Sequence, residues 1–207
     1  MWTRRDLDIV ETLTRRVRVL SLQQMMAIWW GGQRSSRESR RRIRRLIDGR
    51  LLQRTTVNAI AIRASRPLFT WRPDQPPLDS LPLSELARSR WKQMAVPVDV
   101  FFASPEAASL FGSTAGSLPK VEQINHDLLL SDAYANYRQH QPQDAERWVG
   151  EDTLPKAGYR IKDPDAFLVS PQGTTTRVIE SAGAYGPKQI SSFHEHCLEQ
   201  SLPYELW

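Results

Sequence analysis

Residues 34–54 constrain the fold of this chain more than any other segment. They include nine arginines, and their large apolar residues return at helical spacing: Ile43, Leu46, Ile47, Leu51 and Leu52. This spacing predicts a helix with one side in a core and the other sides in solvent. A guanidinium group is permanently charged, and its planar fork matches two acceptors at once, either phosphate oxygens or the major-groove edge of guanine. The segment therefore favours a nucleic acid as the partner.

Charge is divided unevenly along the chain. Residues 1–72 carry 17 basic against 5 acidic side chains, a balance of +12, whereas residues 73–207 carry 11 against 18, a balance of −7. Such a division predicts two regions with different partners, of which only the first attracts a polyanion. The simpler alternative is an arginine-rich surface that serves only solubility.

Length and composition exclude several classes of protein. A chain of 207 residues suffices for one large domain or two small ones. Its apolar runs are too short for a membrane span of about 18 residues, and charged residues, not a signal sequence, follow Met1. A cytoplasmic protein without membrane contact is therefore expected. The single Cys197 excludes an internal disulfide and a cysteine-based zinc site, so we expect it to pack in the core.

Three helices and a hairpin are predicted in residues 1–72. Thr3 caps a helix to about Arg15, and Ser21 caps a second helix that ends at a pair of glycines. A serine after that turn caps the third helix, which ends near Gly49. Three helices followed by a hairpin predict a winged helix-turn-helix, in which the third helix enters the major groove of DNA.

The residues predicted to contact DNA lie on the third helix and on the wing. The wing is expected to leave along 52–56 and return along 67–71, while the apolar run 57–62 either extends the sheet or packs on another subunit. For the third helix, the start is expected to read bases and the next turn to contact phosphates. The predicted contacts are Arg34, Ser36, Arg37, Arg40 and Arg41 for base edges or nearby phosphates, Arg44 and Arg45 for backbone phosphates, and Arg63 and Arg66 near the wing tip.

Four prolines in residues 72–82 predict a linker, 73–82, between a DNA-binding domain, 1–72, and a second domain, 83–207. In the second domain a helix over 83–94, a strand over 96–102 and a short helix from Ser104 come first. A helix over 121–140, strands over 147–151, 165–170 and 175–181, a helix over 187–200 and a strand over 203–207 follow. This order predicts a mixed α/β arrangement, and thus an α+β protein overall.

The order of helix, three strands, helix and strand resembles the PD-(D/E)XK nuclease fold. There, carboxylates on adjacent strands and a lysine hold a divalent metal and activate water. The resemblance implies Asp165 and Glu180 as metal ligands and Glu151 and Asp152 as further oxygen donors.

The lysine position of that motif is occupied by Ala182, which leaves Lys188 as the nearby substitute. A nuclease-like scaffold that has lost catalysis, with no cofactor, is therefore favoured, and an active enzyme would need Mg²⁺. His194 and His196 diverge on their helix, as do the adjacent His126 and Asp127, so neither pair predicts a metal site.

Three segments, RRDLDIVETL, PDAFLV and VIES, together with the arginine-rich helix, resemble the replication-relaxation family of bacterial mobile elements. The resemblance implies a winged helix joined to a degenerate nuclease-like domain, and a DNA-binding role without a common catalytic residue.

Three functional hypotheses follow. The first is a sequence-specific regulator that binds double-stranded DNA as a homodimer, with the acidic domain serving dimerisation or contact with a protein partner. The second is a metal-dependent endonuclease or nickase that uses Asp165, Glu180 and Lys188. The third is an accessory factor for plasmid replication or transfer.

Overall fold

The computed structural model describes residues 1–32, 37–60, 62–76, 78–113, 116–150, 153 and 164–207. The helices are α1 (Arg4–Arg15), α2 (Leu22–Trp29), α3 (Arg37–Asp48), α4 (Ser80–Arg90), α5 (Pro105–Leu110), α6 (Ile124–His140), α7 (Pro142–Glu146) and α8 (Pro187–Glu199). The strands are β1 (Leu20–Ser21), β2 (Leu52–Ile60), β3 (Phe69–Trp71), β4 (Ala95–Ala103), β5 (Trp148–Gly150), β6 (Ala166–Val169), β7 (Thr175–Glu180) and β8 (Tyr204–Leu206). The protein is an α+β fold, as the sequence predicts.

Side-chain caps explain where the first two helices begin. Thr3 accepts a hydrogen bond from the backbone N–H of Asp6, whose carboxylate accepts from the Thr3 N–H in return. Ser21 and Gln24 form the same reciprocal box at the start of α2. Both predicted N-caps are confirmed, because these contacts involve only residues three apart in sequence.

The first sheet has the strand order β1-β4-β2, with both pairs antiparallel. β1 lies between α1 and α2 in the chain, β2 follows α3, and β4 follows α4. β2 and β4 pair along their whole length, from Leu52 opposite Ala103 to Ile60 opposite Ala95. The apolar run after Thr56 therefore extends the sheet, which was one of the two predicted alternatives.

The prediction that residues 67–71 form the return strand of the wing is wrong. Residues 67–71 do not pair with β2, because β3 lies antiparallel to β8 in the second sheet. The physical reason is burial: Trp71 stacks on Tyr204 with their ring centroids 5.6 Å apart. The longer β4 instead supplies Val98 and Val100 to the apolar face of the first sheet, which a three-residue strand cannot cover.

The second sheet has the order β3-β8-β7-β6-β5. β5, β6 and β7 form an antiparallel meander, while β8 lies parallel to β7. Among the described residues, the predicted helix, three strands, helix and strand occur in that order, with the short α7, which was not predicted, between α6 and β5. Successive strand residues face opposite sides: Ile179 packs in the cluster that contains Tyr137 of α6, and Val178 packs with Ile190 of α8.

The chain crosses between the two sheets at residues 73–82. β3 precedes this proline-rich segment and joins the second sheet, whereas β4 follows it and joins the first. One core cluster extends from Ile9 of α1 to Trp207, and α6 packs on the back of the first sheet through Ile124 and Leu128. The predicted linker therefore does not separate the two sheets. None of the helices in the described ranges has the length and apolar character needed to cross a membrane.

Candidate nucleic-acid interface

Helix α3 separates its apolar and basic residues onto opposite faces. Ser39, Ile43 and Leu46 are buried against the core. At 100° per residue, the opposite face of the helix carries most of its arginines. The exposed arginines of α3 are Arg37, Arg40, Arg41, Arg44 and Arg45. Within the described part of the chain, the predicted recognition helix therefore presents a basic surface to solvent.

Arg42 differs from these five arginines because it turns toward α1. Its Nε lies 3.2 Å from Asp6 Oδ1, its Nη2 forms an ion pair with Asp6 Oδ2, and Nη2 also donates to Thr3 Oγ1 at 2.8 Å. Asp6 is only 1% exposed. The contact links α3 to the capping box of α1, so it sets the orientation of the basic helix. Arg42 is thus a structural residue of this surface.

Two contacts between arginine and tryptophan side chains involve the first residues of the chain, and one of them includes an arginine of α3. The guanidinium carbon of Arg45 lies 5.5 Å from the ring centroid of Trp2, and that of Arg5 lies 5.2 Å from the ring of Trp30. Both distances are in the range of a cation–π interaction. The exposed Arg4 and Arg5 belong to the first turn of α1, which the Asp6 contact holds beside α3. No DNA contact was predicted from the sequence at these two residues.

The remaining predicted DNA contacts fall into two groups. Arg34 and Ser36 lie outside the described residues. Arg63 and Arg66 are exposed, but the segment that carries them lies alongside α6 and does not form a hairpin tip.

Three side chains of α6 hold that segment. Asn125 accepts from the N–H of Ile60 at 2.7 Å, Asp132 accepts from the N–H of Ala64 at 3.0 Å, and Asn136 donates to the carbonyl of Ser65 at 2.6 Å. The predicted wing tip is therefore replaced by a connection to the second sheet. The cause is the non-local pairing of β2 with β4.

On the paired strands β2 and β4, an acidic side chain offsets an exposed arginine. Arg54 forms an ion pair with Asp99 at 2.8 Å, and Thr56 donates to the same carboxylate at 2.8 Å. These hydrogen bonds lower the pKa of Asp99, chiefly through Thr56. Because Asp99 offsets the positive charge of Arg54, this strand pair contributes less to an anion-binding surface than α3 does.

Asp165, a predicted metal ligand, belongs to a buried cluster with a histidine. It is 3% exposed and accepts from the N–H of Ser181 at 2.6 Å. Nε2 of His126 lies 2.9 Å from Asp165, and Nδ1 of the same ring lies 3.3 Å from Asp127. Nη1 of Arg18 approaches Asp127 at 4.0 Å. The expectation that His126 and Asp127 diverge is wrong, because the ring of His126 folds back onto its neighbour.

The charge of His126 follows from this environment. Burial lowers the pKa of the imidazole, but hydrogen bonds and charges from Asp127 and Asp165 outweigh burial and raise its pKa to about 10. At neutral pH an imidazolium therefore lies between two carboxylates. The positive charge of His126 therefore stabilises the two negative charges of Asp127 and Asp165.

Glu180, the second predicted metal ligand, has different partners. It is 1% exposed and accepts a hydrogen bond from the hydroxyl of Tyr185. Together with burial, its charge raises the pKa of Cys197 on α8 to about 12. The side-chain partner of Asp165 is His126 of α6, whereas that of Glu180 is Tyr185, which lies just before α8. The two carboxylates therefore contact different parts of the fold. Cys197 is buried, as predicted.

The other candidate catalytic groups do not join Asp165 in the described part of the chain. Lys188 is exposed in the first turn of α8, and Glu151 and Asp152 lie outside the described residues. In the described ranges, His, Cys, Asp and Glu side chains form no group of three or more that could hold a metal ion.

Residues 15–18, at the end of α1 and in the connection to β1, line the space beside Asp127 and Asp165. The cavity that remains there has a volume of about 20 Å³, which is too small for a nucleotide. Arg16 donates to the carbonyl of Trp148 and accepts from its indole N–H at 3.0 Å. A side chain at Gly150 would lie 2.7 Å from the carbonyl oxygen of Arg16, so only glycine permits this close approach. The connection therefore packs directly over the edge of β5.

Comparisons with protein-family models, curated proteins and solved structures found no match to this chain.

Proposed function

We propose that the protein binds double-stranded DNA sequence-specifically, with α3 as the recognition helix of a winged helix made from α1, α2, α3 and the β1-β4-β2 sheet. The observation that carries this proposal is the exposed basic face of α3, directly opposite its buried face. An α-helix fits the major groove, and arginine is the commonest reader of guanine there.

Different turns of α3 have different tasks in this proposal. Arg37, Arg40 and Arg41 lie in the first half of the helix, which approaches base edges in a helix-turn-helix. Arg44 and Arg45 lie further along and contact phosphates. Each phosphate that the protein neutralises adds about 0.9 to the slope of log affinity against log salt concentration. Binding is therefore strongly salt-dependent.

The second sheet and its helices serve as a scaffold in this proposal. The protein acts in the cytoplasm as a homodimeric regulator of a mobile element, and the acidic part of the chain supplies dimerisation or the contact with a protein partner. The resemblance of the arginine helix and the three sequence segments to the replication-relaxation family supports this role. An accessory function in plasmid replication or transfer would use the same DNA-binding surface.

A titration with labelled duplexes tests the proposal. Fragments from the gene's own locus and shuffled fragments of equal length are compared between 50 and 200 mM salt, roughly the range over which phosphate contacts dominate affinity. We expect one fragment to bind much more tightly than the shuffled controls. Equal affinity for all duplexes at moderate salt would refute sequence-specific recognition.

Substitutions in α3 test the division of tasks. Arg37→Ala or Arg40→Ala should reduce discrimination between sites by about 1–3 kcal/mol for each guanine that is no longer read by an arginine. Arg44→Ala should weaken all duplexes similarly and lower the salt slope by about one. Arg72→Ala, which removes an exposed arginine beside the second sheet, is the matched control.

A metal-dependent nuclease is the alternative, based on the PD-(D/E)XK-like order of elements in the second sheet. It would bind Mg²⁺ through Asp165 and Glu180, with Lys188 near the attacking water. Against it stand the partners of these carboxylates, His126 and Ser181 for Asp165 and Tyr185 for Glu180. Incubation of supercoiled plasmid with the protein and Mg²⁺ or Mn²⁺ decides between them. Cleavage that Asp165→Ala abolishes would establish the nuclease.

A further inference from the structure

The first six residues of the chain, which include the start of α1, contact α3. Asp6 and Thr3 bind Arg42, and one helical turn further along α3 the ring of Trp2 lies beside Arg45. The indole of Trp2 is 37% exposed. A large aromatic ring thus remains at the surface in contact with one of the exposed arginines of the basic face.

The ring of Trp2 packs against Gly49, the residue that follows α3. A Cβ atom at residue 49 would lie 2.6 Å from Cη2 and 2.7 Å from Cζ2 of the Trp2 ring. The backbone of Gly49 does not have a positive φ, so its conformation is open to other residues. The absence of a side chain at this position therefore makes room for the indole ring. An added methyl group would displace the ring, which lies at the surface and can move.

The position of Arg45 over the ring of Trp2 limits the conformations of the arginine side chain. A free arginine side chain samples many rotamers, and fixing it on a ligand costs conformational entropy. An arginine that already lies on an aromatic ring loses less freedom when it binds a phosphate, and the cation–π contact leaves the N–H donors at its edge available. Trp2 therefore holds Arg45 in a smaller set of conformations before any ligand arrives.

We propose that Trp2 is a positioning residue for Arg45, and that Trp2, Arg45 and the first turn of α1 form a second binding surface for the phosphodiester backbone beside the groove read by α3. Arg4 and Arg5 add two exposed guanidinium groups to it. The inference rests on the proposed DNA-binding function and specifies which backbone contacts accompany base readout. Its ligand is the phosphodiester strand, whatever the base sequence.

A double-mutant cycle tests the positioning role with the full chain and a 20-base-pair duplex at several salt concentrations (about two turns of DNA). Trp2→Ala should weaken binding about two- to fivefold, the range of an exposed cation–π contact. Arg45→Ala should weaken it further and lower the salt slope by about 0.9. The double variant should bind like Arg45→Ala alone, because Trp2 acts through Arg45. Full additivity of the two effects, or an unchanged affinity for Trp2→Ala, would overturn the inference.

Two conservative variants separate positioning from folding. Trp2→Phe keeps an aromatic ring and should restore most of the affinity. Gly49→Ala keeps both Trp2 and Arg45 but displaces the ring, so it should weaken binding like Trp2→Ala; wild-type affinity in Gly49→Ala would contradict the proposal.

Melting temperatures verify that each variant folds, and Arg72→Ala controls for the removal of an arginine elsewhere. If the wild type itself shows no salt-dependent duplex binding, the proposed function fails; if it binds and Trp2→Ala has no effect, only this inference fails.

Discussion

Asp6 combines two roles that are separate in most helices. Its carboxylate accepts from the backbone of Thr3 at 2.7 Å and also binds the guanidinium of Arg42. A buried carboxylate that satisfies a cap and an ion pair together is costly to remove, because both partners lose it at once. The orientation of α3 therefore depends on one residue of α1.

We predict that Asp6→Asn lowers the free energy of unfolding by about 2 kcal/mol, since Arg42 loses its charged partner while an acceptor for the cap remains. Urea denaturation measures this. Asp79→Asn is the matched control, because Asp79 also caps a helix, through a hydrogen bond from the N–H of Leu81, but is exposed. The control should lose less than about 0.5 kcal/mol. Equal destabilisation of the two variants would show that the ion pair with Arg42 adds nothing.

His126 makes stability depend on pH in a defined direction. Its pKa in the folded protein, about 10, exceeds its ordinary value of 6.5, so the folded state binds the proton more tightly than the unfolded state. The stabilisation is therefore fully present below pH 6.5 and disappears as pH rises through 10. The charged groups around the ring are Asp127 on α6, Asp165 before β6 and Arg18 before β1.

We predict that the stability difference between the wild type and His126→Gln falls by at least about 2 kcal/mol between pH 6 and pH 10, since one pKa unit corresponds to about 1.4 kcal/mol. Denaturation curves of both proteins across that range give the difference, and the subtraction cancels groups that titrate in both. A difference that stays constant with pH would show that His126 is neutral in the folded protein.

At the scale of elements, α6 holds the first sheet and the chain that leaves it. Asp132 accepts from the N–H of Ala64 and from the amide of Gln24 on α2, at 3.0 and 2.7 Å. Burial raises the pKa of Asp132, while these two hydrogen bonds act in the opposite direction. One carboxylate thereby connects three elements that are far apart in sequence.

We predict that Asp132→Ala destabilises the protein by about 2 kcal/mol, because two partly buried donors lose this acceptor. The amides of residues 62–66 should exchange faster with deuterium, as the segment separates from α6. Hydrogen-exchange mass spectrometry resolves that peptide. The exposed Asp74→Ala is the control, and unchanged exchange near Ala64 in the Asp132 variant would show that the segment is held by other contacts.

At the scale of the whole molecule, the exchange of β3 and β4 joins the two sheets into one folding unit. Residues 1–72 lack β4, so β2 would lose its entire partner strand and Leu52 its cover. We predict that a fragment of residues 1–72 does not unfold cooperatively, whereas the full chain unfolds in one transition. Circular dichroism and calorimetry measure both. A fragment 1–72 with a sharp thermal transition would contradict this and restore the predicted domain boundary.

Local chemistry allowed much of the secondary structure to be predicted from the sequence. The caps at Thr3 and Ser21, the end of α3 near Gly49, and the succession of elements after residue 120 all depend on contacts a few residues apart. The exposed arginines of α3 belong to the same class, because helical periodicity places them opposite the apolar residues. No long-range information was needed for these features.

Strand pairing and the partners of buried charges could not be predicted in this way. β2 pairs with β4 because α6 buries the apolar face that these two strands form together. α6 begins more than sixty residues after the end of β2. Asp165 meets His126 and Arg42 meets Asp6 only after the helices have packed. Such contacts are selected by the competition between burial and charge satisfaction across the folded molecule, which no window of neighbouring residues contains.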